Sequence, residues 1–292
     1  MNRKNDFNIF NNDKKLFYYL FKYRAAMSAQ IHRDIYKYSG TNITRNRLLK
    51  LKNAKYIHGT CYPKLNRMMA FGLSRKNMSE YINLGGGTMP GRRSYCPYHD
   101  LKLLEIWRYL SRANELKEYY TENEFQYLAG EKYEEIRRSV DGLNPDGVMT
   151  VNIKNNNFMT TLEFERSLKG KSRYFELFKN YYANEFIDAV FFICESDYLL
   201  RAINKIESDF LTKRISPKFF YCTSQDIFKG NKVRFKNINN KVITFNISNA
   251  PSDISSYDSL DISLQNMLQA LNIVKFQDLK LRSKNSVSDR GT

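Results

Sequence analysis

The segment Ile187-Asp-Ala-Val-Phe-Phe-Ile-Cys194 constrains this chain more than any other, because it is a short, near-continuous apolar run. A run of that length suits a strand buried on both faces, and such strands sit centrally in sheets covered by helices on each side. Phe175, Leu177, Phe178 and Tyr181 show helical spacing before it, and the stretch from Asp197 to Ile206 does so after it. A further strand is expected over Phe219–Cys222. A terminal hairpin is expected from Val233–Phe235 and Val242–Ile247, around Asn237-Ile238-Asn239-Asn240. The fold class expected is therefore α/β (α+β), a mixed-sheet core flanked by helices.

A second hairpin carries chemistry. After Pro145-Asp146-Gly147, residues Met149, Val151 and Ile153 alternate; after the turn formers Asn155-Asn156-Asn157, so do Phe158, Leu162 and Phe164. Alternation puts Glu163 and Glu165 together on the opposite face. With the loop centred near Asn156, the register brings Asp146 opposite the Glu165 end. Carboxylates that repel one another are usually kept close for a divalent cation or a proton. Mg²⁺ or Mn²⁺ would take oxygens from Asp146, Glu163 and Glu165 and polarise a phosphate oxygen, with Lys169 and Lys171 near enough to neutralise developing charge. The pattern equally permits Glu163 and Glu165 on a solvated strand face, with Asp146 a turn residue.

The N-terminal part reads differently. Leu16, Leu20 and Phe21 repeat at helical spacing behind Asp13 as a cap; Ser28 opens a short helix with Ile31 and Ile35; a third helix runs through Thr44 to Lys52. Strands over Tyr56–Tyr62 and Arg67–Leu73, around Pro63-Lys64-Leu65-Asn66, complete the order of a winged helix-turn-helix. The window 41–79 contains no Asp or Glu, and Arg45, Arg47, Lys50, Lys52, Lys64 and Arg67 form its candidate DNA-binding set. A solvated basic face or a protein-docking winged helix is the alternative.

The formal charge of +17 favours a polyanion partner, double-stranded DNA first, by attraction and counterion release. No apolar stretch reaches the roughly 20 residues of a membrane span, so a soluble cytoplasmic protein is expected. Cys61, Cys96, Cys194 and Cys222 form no CxxC pair and are read as reduced and buried. His32, His58 and His99 form no metal-ligand motif, and His99, near the start of a helix with Leu103, Ile106, Trp107 and Leu110, reads as structural. The domains expected are residues 1–84, a Gly-rich linker over 85–98, an α/β domain over 99–250, and a C-terminal helix and tail over 251–292. Leu260, Leu264, Met267, Leu268 and Leu271 give that helix an apolar face for the chain's own body, or for a partner or dimer contact.

The run Pro145-Asp146-Gly147, a hairpin-length gap, then Leu162-Glu-Phe-Glu-Arg-Ser-Leu-Lys-Gly-Lys-Ser-Arg-Tyr174 with Tyr181 following, resembles the PD-(D/E)XK nuclease signature. The likeness is to its variant form in the replication-relaxation family and the MobC-type relaxases of mobilisable plasmids. It spans roughly residues 14–225. The resemblance implies a winged helix followed by a PD-(D/E)XK nuclease-like fold, acting on DNA at a plasmid or mobile-element origin. Asp146 then matches the motif aspartate and Glu163 the first glutamate, while Glu165 stands where the orthodox motif has lysine. Two functions follow: a relaxase-like protein making a metal-dependent nick in double-stranded DNA, or a non-catalytic replication or transcription regulator with a degenerate nuclease-like domain.

Overall fold

The computed structural model describes residues 7–62, 69–85, 97–211 and 216–248. The expected C-terminal helix, the tip of the 57–73 hairpin with Lys64 and Arg67, most of the Gly-rich segment, and Cys96 lie outside them. Residues through Ser248 pack as one compact unit.

The chain begins with α1 (Asn11–Tyr23), β1 (Ala26–Met27), α2 (Ser28–Asp34) and α3 (Thr41–Asn53), then β2 (Ile57–Cys61), β3 (Met69–Leu73) and α4 (Arg75–Tyr81). β3 lies between β1 and β2, antiparallel to both. Asp13 is not the cap of α1. It sits in the first turn and accepts from the Phe10 backbone N–H at 2.7 Å. Ser28 likewise is the first helical residue of α2, and the Gln30 side chain accepts from Met27 N at 2.9 Å. Both helices therefore close their first turn with a side chain at the third position, satisfying a backbone donor that would otherwise be orphaned.

The second part runs α5 (Pro97–Leu110), β4 (Leu116–Thr121), α6 (Glu122–Tyr127), α7 (Glu131–Ser139), β5 (Gly147–Ile153), β6 (Asn156–Glu165), α8 (Lys171–Ala183), β7 (Ala189–Cys194), α9 (Asp197–Phe210), β8 (Phe219–Thr223), α10 (Ser224–Ile227), β9 (Lys232–Lys236) and β10 (Val242–Asn246). Seven strands form one mixed sheet in the order β10-β9-β8-β7-β6-β5-β4. β7 is parallel to both neighbours and wholly buried, as its apolar run requires. Its side chains alternate between two cores. Phe191 and Ile193 join the cluster that includes α1 and α5; Val190, Phe192 and Cys194 join the one that includes α8 and α9.

The β5–β6 connection is tighter than the asparagine run suggests. Ile153 pairs with Asn156, leaving only Lys154 and Asn155 in the turn, at φ 51° and 65°. Two left-handed residues are what a two-residue turn of matching twist demands, and asparagine tolerates that region. Gly147 pairs with Leu162, so Asp146 stands at the level of Glu163 rather than Glu165.

Candidate acidic site and basic face

Gly147 lets the acidic site form. A Cβ there would fall 2.2 Å from Cζ2 of Trp107, so only glycine lets α5 press against the start of β5. The contact brings His99, in the first turn of α5, beside Asp146. Asp146 Oδ2 accepts from Phe164 N at 2.7 Å and lies 3.4 Å from His99 Nε2. His99 Nε2 also faces the Phe164 carbonyl at 3.1 Å, and Nδ1 faces Asp100 Oδ1 at 3.4 Å. Both ring nitrogens therefore meet acceptors. Burial alone would lower the His99 pKa, but its bonds to Asp100 and Asp146 outweigh that and push it up to about 10. His99 is thus held as a cation beside Asp146, an arrangement that the structural role read from the sequence accommodates; a lone imidazole in the sequence carries no mark of two aspartates, one of them 47 residues on.

Glu163 and Glu165 share the other face of β6. Tyr181 on α8 donates to Glu163 Oε1 at 2.5 Å. Burial first, then the charge of Asp146, raises Glu163 well above the usual carboxylate range; Glu165 and Glu122 add to this, and the Tyr181 bond opposes it. Glu165 accepts from Arg166 N at 3.1 Å and pairs with Lys169 Nζ at 3.3 Å. Lys171 is elsewhere: its ammonium meets Asp209 on α9 at 2.8 Å, at the surface. The structure thus brings Asp146, Glu163, Glu165 and Lys169 into one neighbourhood and engages Lys171 outside it.

Asp146 also lines a cleft of about 20 Å³, room for one water-sized group. Arg24, Asp100, Trp107 and Glu122 line it along with Asp146. Arg24 comes from the end of α1 and pairs with Glu122 at 2.7 Å, so the N-terminal part contributes a cation to the acidic site. That contribution has no local sequence signal. Among the described residues, no three His, Cys, Asp or Glu side chains converge tightly enough to hold a metal ion.

The basic face divides more sharply than its sequence suggests. Arg45 and Lys50 are exposed on α3. Arg47 is not free: its Nε donates to Asp13 Oδ1 at 2.9 Å, its Nη2 donates to Oδ2 of the same buried carboxylate, and Phe7 and Phe10 stack near it. Lys52 is half-buried, its ammonium 3.9 Å from the Met69 sulfur. Cys61 is exposed, correcting the expectation that it is buried, whereas Cys194 and Cys222 are in the core.

No protein-family model, curated protein or solved structure matches this chain.

What the site can do follows from its charges. Five carboxylates, Asp100, Glu122, Asp146, Glu163 and Glu165, are offset by Arg24, His99 and Lys169. Burial and the charge of Asp146 favour the protonated form of Glu163. No helix among the described residues is long and apolar enough to cross a membrane.

Proposed function

We propose that this protein binds double-stranded DNA through the α3 and β2–β3 region and makes a metal-dependent nick at the acidic site around Asp146 and Glu163. The observation that carries the reading is the level shared by those two carboxyls, Asp146 just before β5 and Glu163 on β6, with Glu163 pushed up partly by Asp146. The order α5, β4, β5, β6, α8, β7, with α6 and α7 inserted between β4 and β5, supports a PD-(D/E)XK-like core, with acids before its second strand and at the end of its third. Three helices and an antiparallel hairpin support a winged helix, and the acid-free window 41–79 supports a nucleic-acid partner. The resemblance to plasmid relaxases makes a plasmid or mobile-element origin the target class.

The donor chemistry suits a hard cation, although the three carboxylates do not converge on one point as they stand, so their side chains would have to move to close on an ion. Asp146, Glu163 and Glu165 offer only oxygens, which suits Mg²⁺ or Mn²⁺, and they would hold it after Glu163 loses its proton. When bound, the ion supplies Lewis acidity at a phosphate oxygen. The chain's own groups do the rest: His99 and the Phe164 N–H orient Asp146, Tyr181 orients Glu163, and Lys169 supplies positive charge beside Glu165. Glu165 in the usual lysine position, and its pairing with Lys169, favour the second reading, a regulator with a degenerate nuclease-like domain.

Calorimetric titration of Mn²⁺ into wild type, Asp146→Asn and Glu163→Gln separates the two. Saturable binding by wild type, weakened in both variants, is expected; folded wild type that binds no Mn²⁺ leaves the regulator.

A further inference from the structure

We infer that α3 reads DNA sequence in the major groove through Asn42, Arg45, Asn46 and Leu49. The inference rests on the DNA-binding reading above and assigns base contacts that reading does not contain.

Thr44, Leu48 and Leu51 anchor α3 in the core. Helical geometry then sends Asn42, Asn46 and Leu49, at spacings of four and three, to the opposite side, and all three are exposed. Arg45 is exposed on one flank of this stripe and Lys50 on the other. A helix serving only as a phosphate footprint needs cations along its outer face, yet the centre of this one carries two uncharged amides and a leucine. Those groups match base edges. An asparagine amide pairs with N6 and N7 of adenine, an arginine fork with O6 and N7 of guanine, and an aliphatic side chain packs on the thymine methyl. Asn42, Arg45 and Asn46 lie in the first two turns, the part of a recognition helix that reaches base edges. Arg47 is excluded from this role by its bonds to Asp13. Lys50 suits a phosphate. The absence of Asp and Glu from residues 41–79 leaves no acid in this segment to repel the duplex.

The test is selection from a random duplex library with the full chain, comparing wild type with Asn46→Ala, Arg45→Ala and Lys50→Ala, each checked for unchanged melting temperature. Wild type should enrich a motif. Asn46→Ala should lose an adenine preference at one position, about tenfold, with the salt dependence of binding unchanged. Arg45→Ala should lose a guanine preference. Lys50→Ala should keep the motif and lower the salt slope by about one. Enrichment of no motif by a wild type that still binds duplex overturns the inference, as does a motif that survives both Asn46→Ala and Arg45→Ala; DNA binding then stands as backbone contact alone. Failure of wild type to bind duplex removes both the inference and the DNA-binding reading on which it rests.

Discussion

Replacing Glu124 with glutamine should loosen the N-terminal part from the mixed sheet. Glu124, on α6, pairs with Lys22 of α1 at 3.1 Å, and the two side chains are only 5% and 7% exposed. Lys22 also lies 4.1 Å over the Tyr119 ring. Tyr18 OH donates to Glu124 Oε1 at 2.7 Å, and Thr121 N to Oε2 at 2.9 Å. Burial by itself would lower the Lys22 pKa, but Glu124 first, and Tyr119 with it, more than reverse this and hold the ammonium charged. Glutamine keeps the shape and leaves that charge buried and uncompensated, which costs about 3–5 kcal/mol. At roughly 2–4 °C per kcal/mol for a body of this size, the melting temperature should fall by about 6–20 °C. Adding Lys22→Met should recover most of the loss, because the stranded charge is then gone. The assay is urea unfolding followed by far-ultraviolet circular dichroism and by fluorescence of Trp107, the only tryptophan. A loss below about 1 kcal/mol would refute the reasoning, since an exposed pair costs no more than that.

Other consequences follow from single contacts. His99, held up at about 10, should show no titration of its ring protons by NMR between pH 6 and 8.5; its stabilisation is complete below about pH 6.5, declines as pH rises beyond that, and is gone above about 10. An inflection near 6.5 would show that the aspartates do not hold it. Glu207 is fully buried between the hydroxyls of Tyr182 and Tyr221, and burial raises its carboxyl to about 7. The native state therefore binds the extra proton, and stability should fall by about 3 kcal/mol between pH 4.5 and 8, a slope that Glu207→Gln should abolish in denaturation series. Arg47→Ala, which strands the buried Asp13 carboxylate, should cost about 3 kcal/mol in thermal unfolding. Arg45→Ala should leave the melting temperature within about 1 °C of wild type, since surface changes seldom matter.

What could be read from the chain depended on whether neighbours in space were also neighbours in pattern. β7 was legible because a central strand must be apolar throughout, and β5 and β6 because alternation survives one buried face. The carboxylates were found through that alternation, but their pairing was not. The turn at Lys154-Asn155 needed positive φ at two residues other than glycine, which the downstream asparagines disguised. β4 and α7 escaped notice for a different reason: β4 buries little beyond Thr121, and α7 buries only Ile136, so neither shows a periodic apolar face. Charged residues were hardest. Arg47 sits in a run of cations that looks like a DNA face, yet its partner Asp13 lies 34 residues upstream. Lys22, Arg24, Glu122 and Glu124 each look solvated in sequence, and only the docking of α1 on α6 pairs them. Lys171 followed the motif closely but was carried by the first turn of α8 toward Asp209.

The most direct measurement is conversion of supercoiled plasmid DNA to the open-circular form, with Mg²⁺ or Mn²⁺ present. Wild type, Asp146→Asn and Glu163→Gln are compared at matched DNA binding. Nicking by wild type, reduced at least a hundredfold in both variants, is the expected result, on the order of what removing one such electrostatic group costs. Equal DNA binding by all three with no metal-dependent nicking by wild type would contradict the enzyme and leave a protein that binds DNA without cutting it.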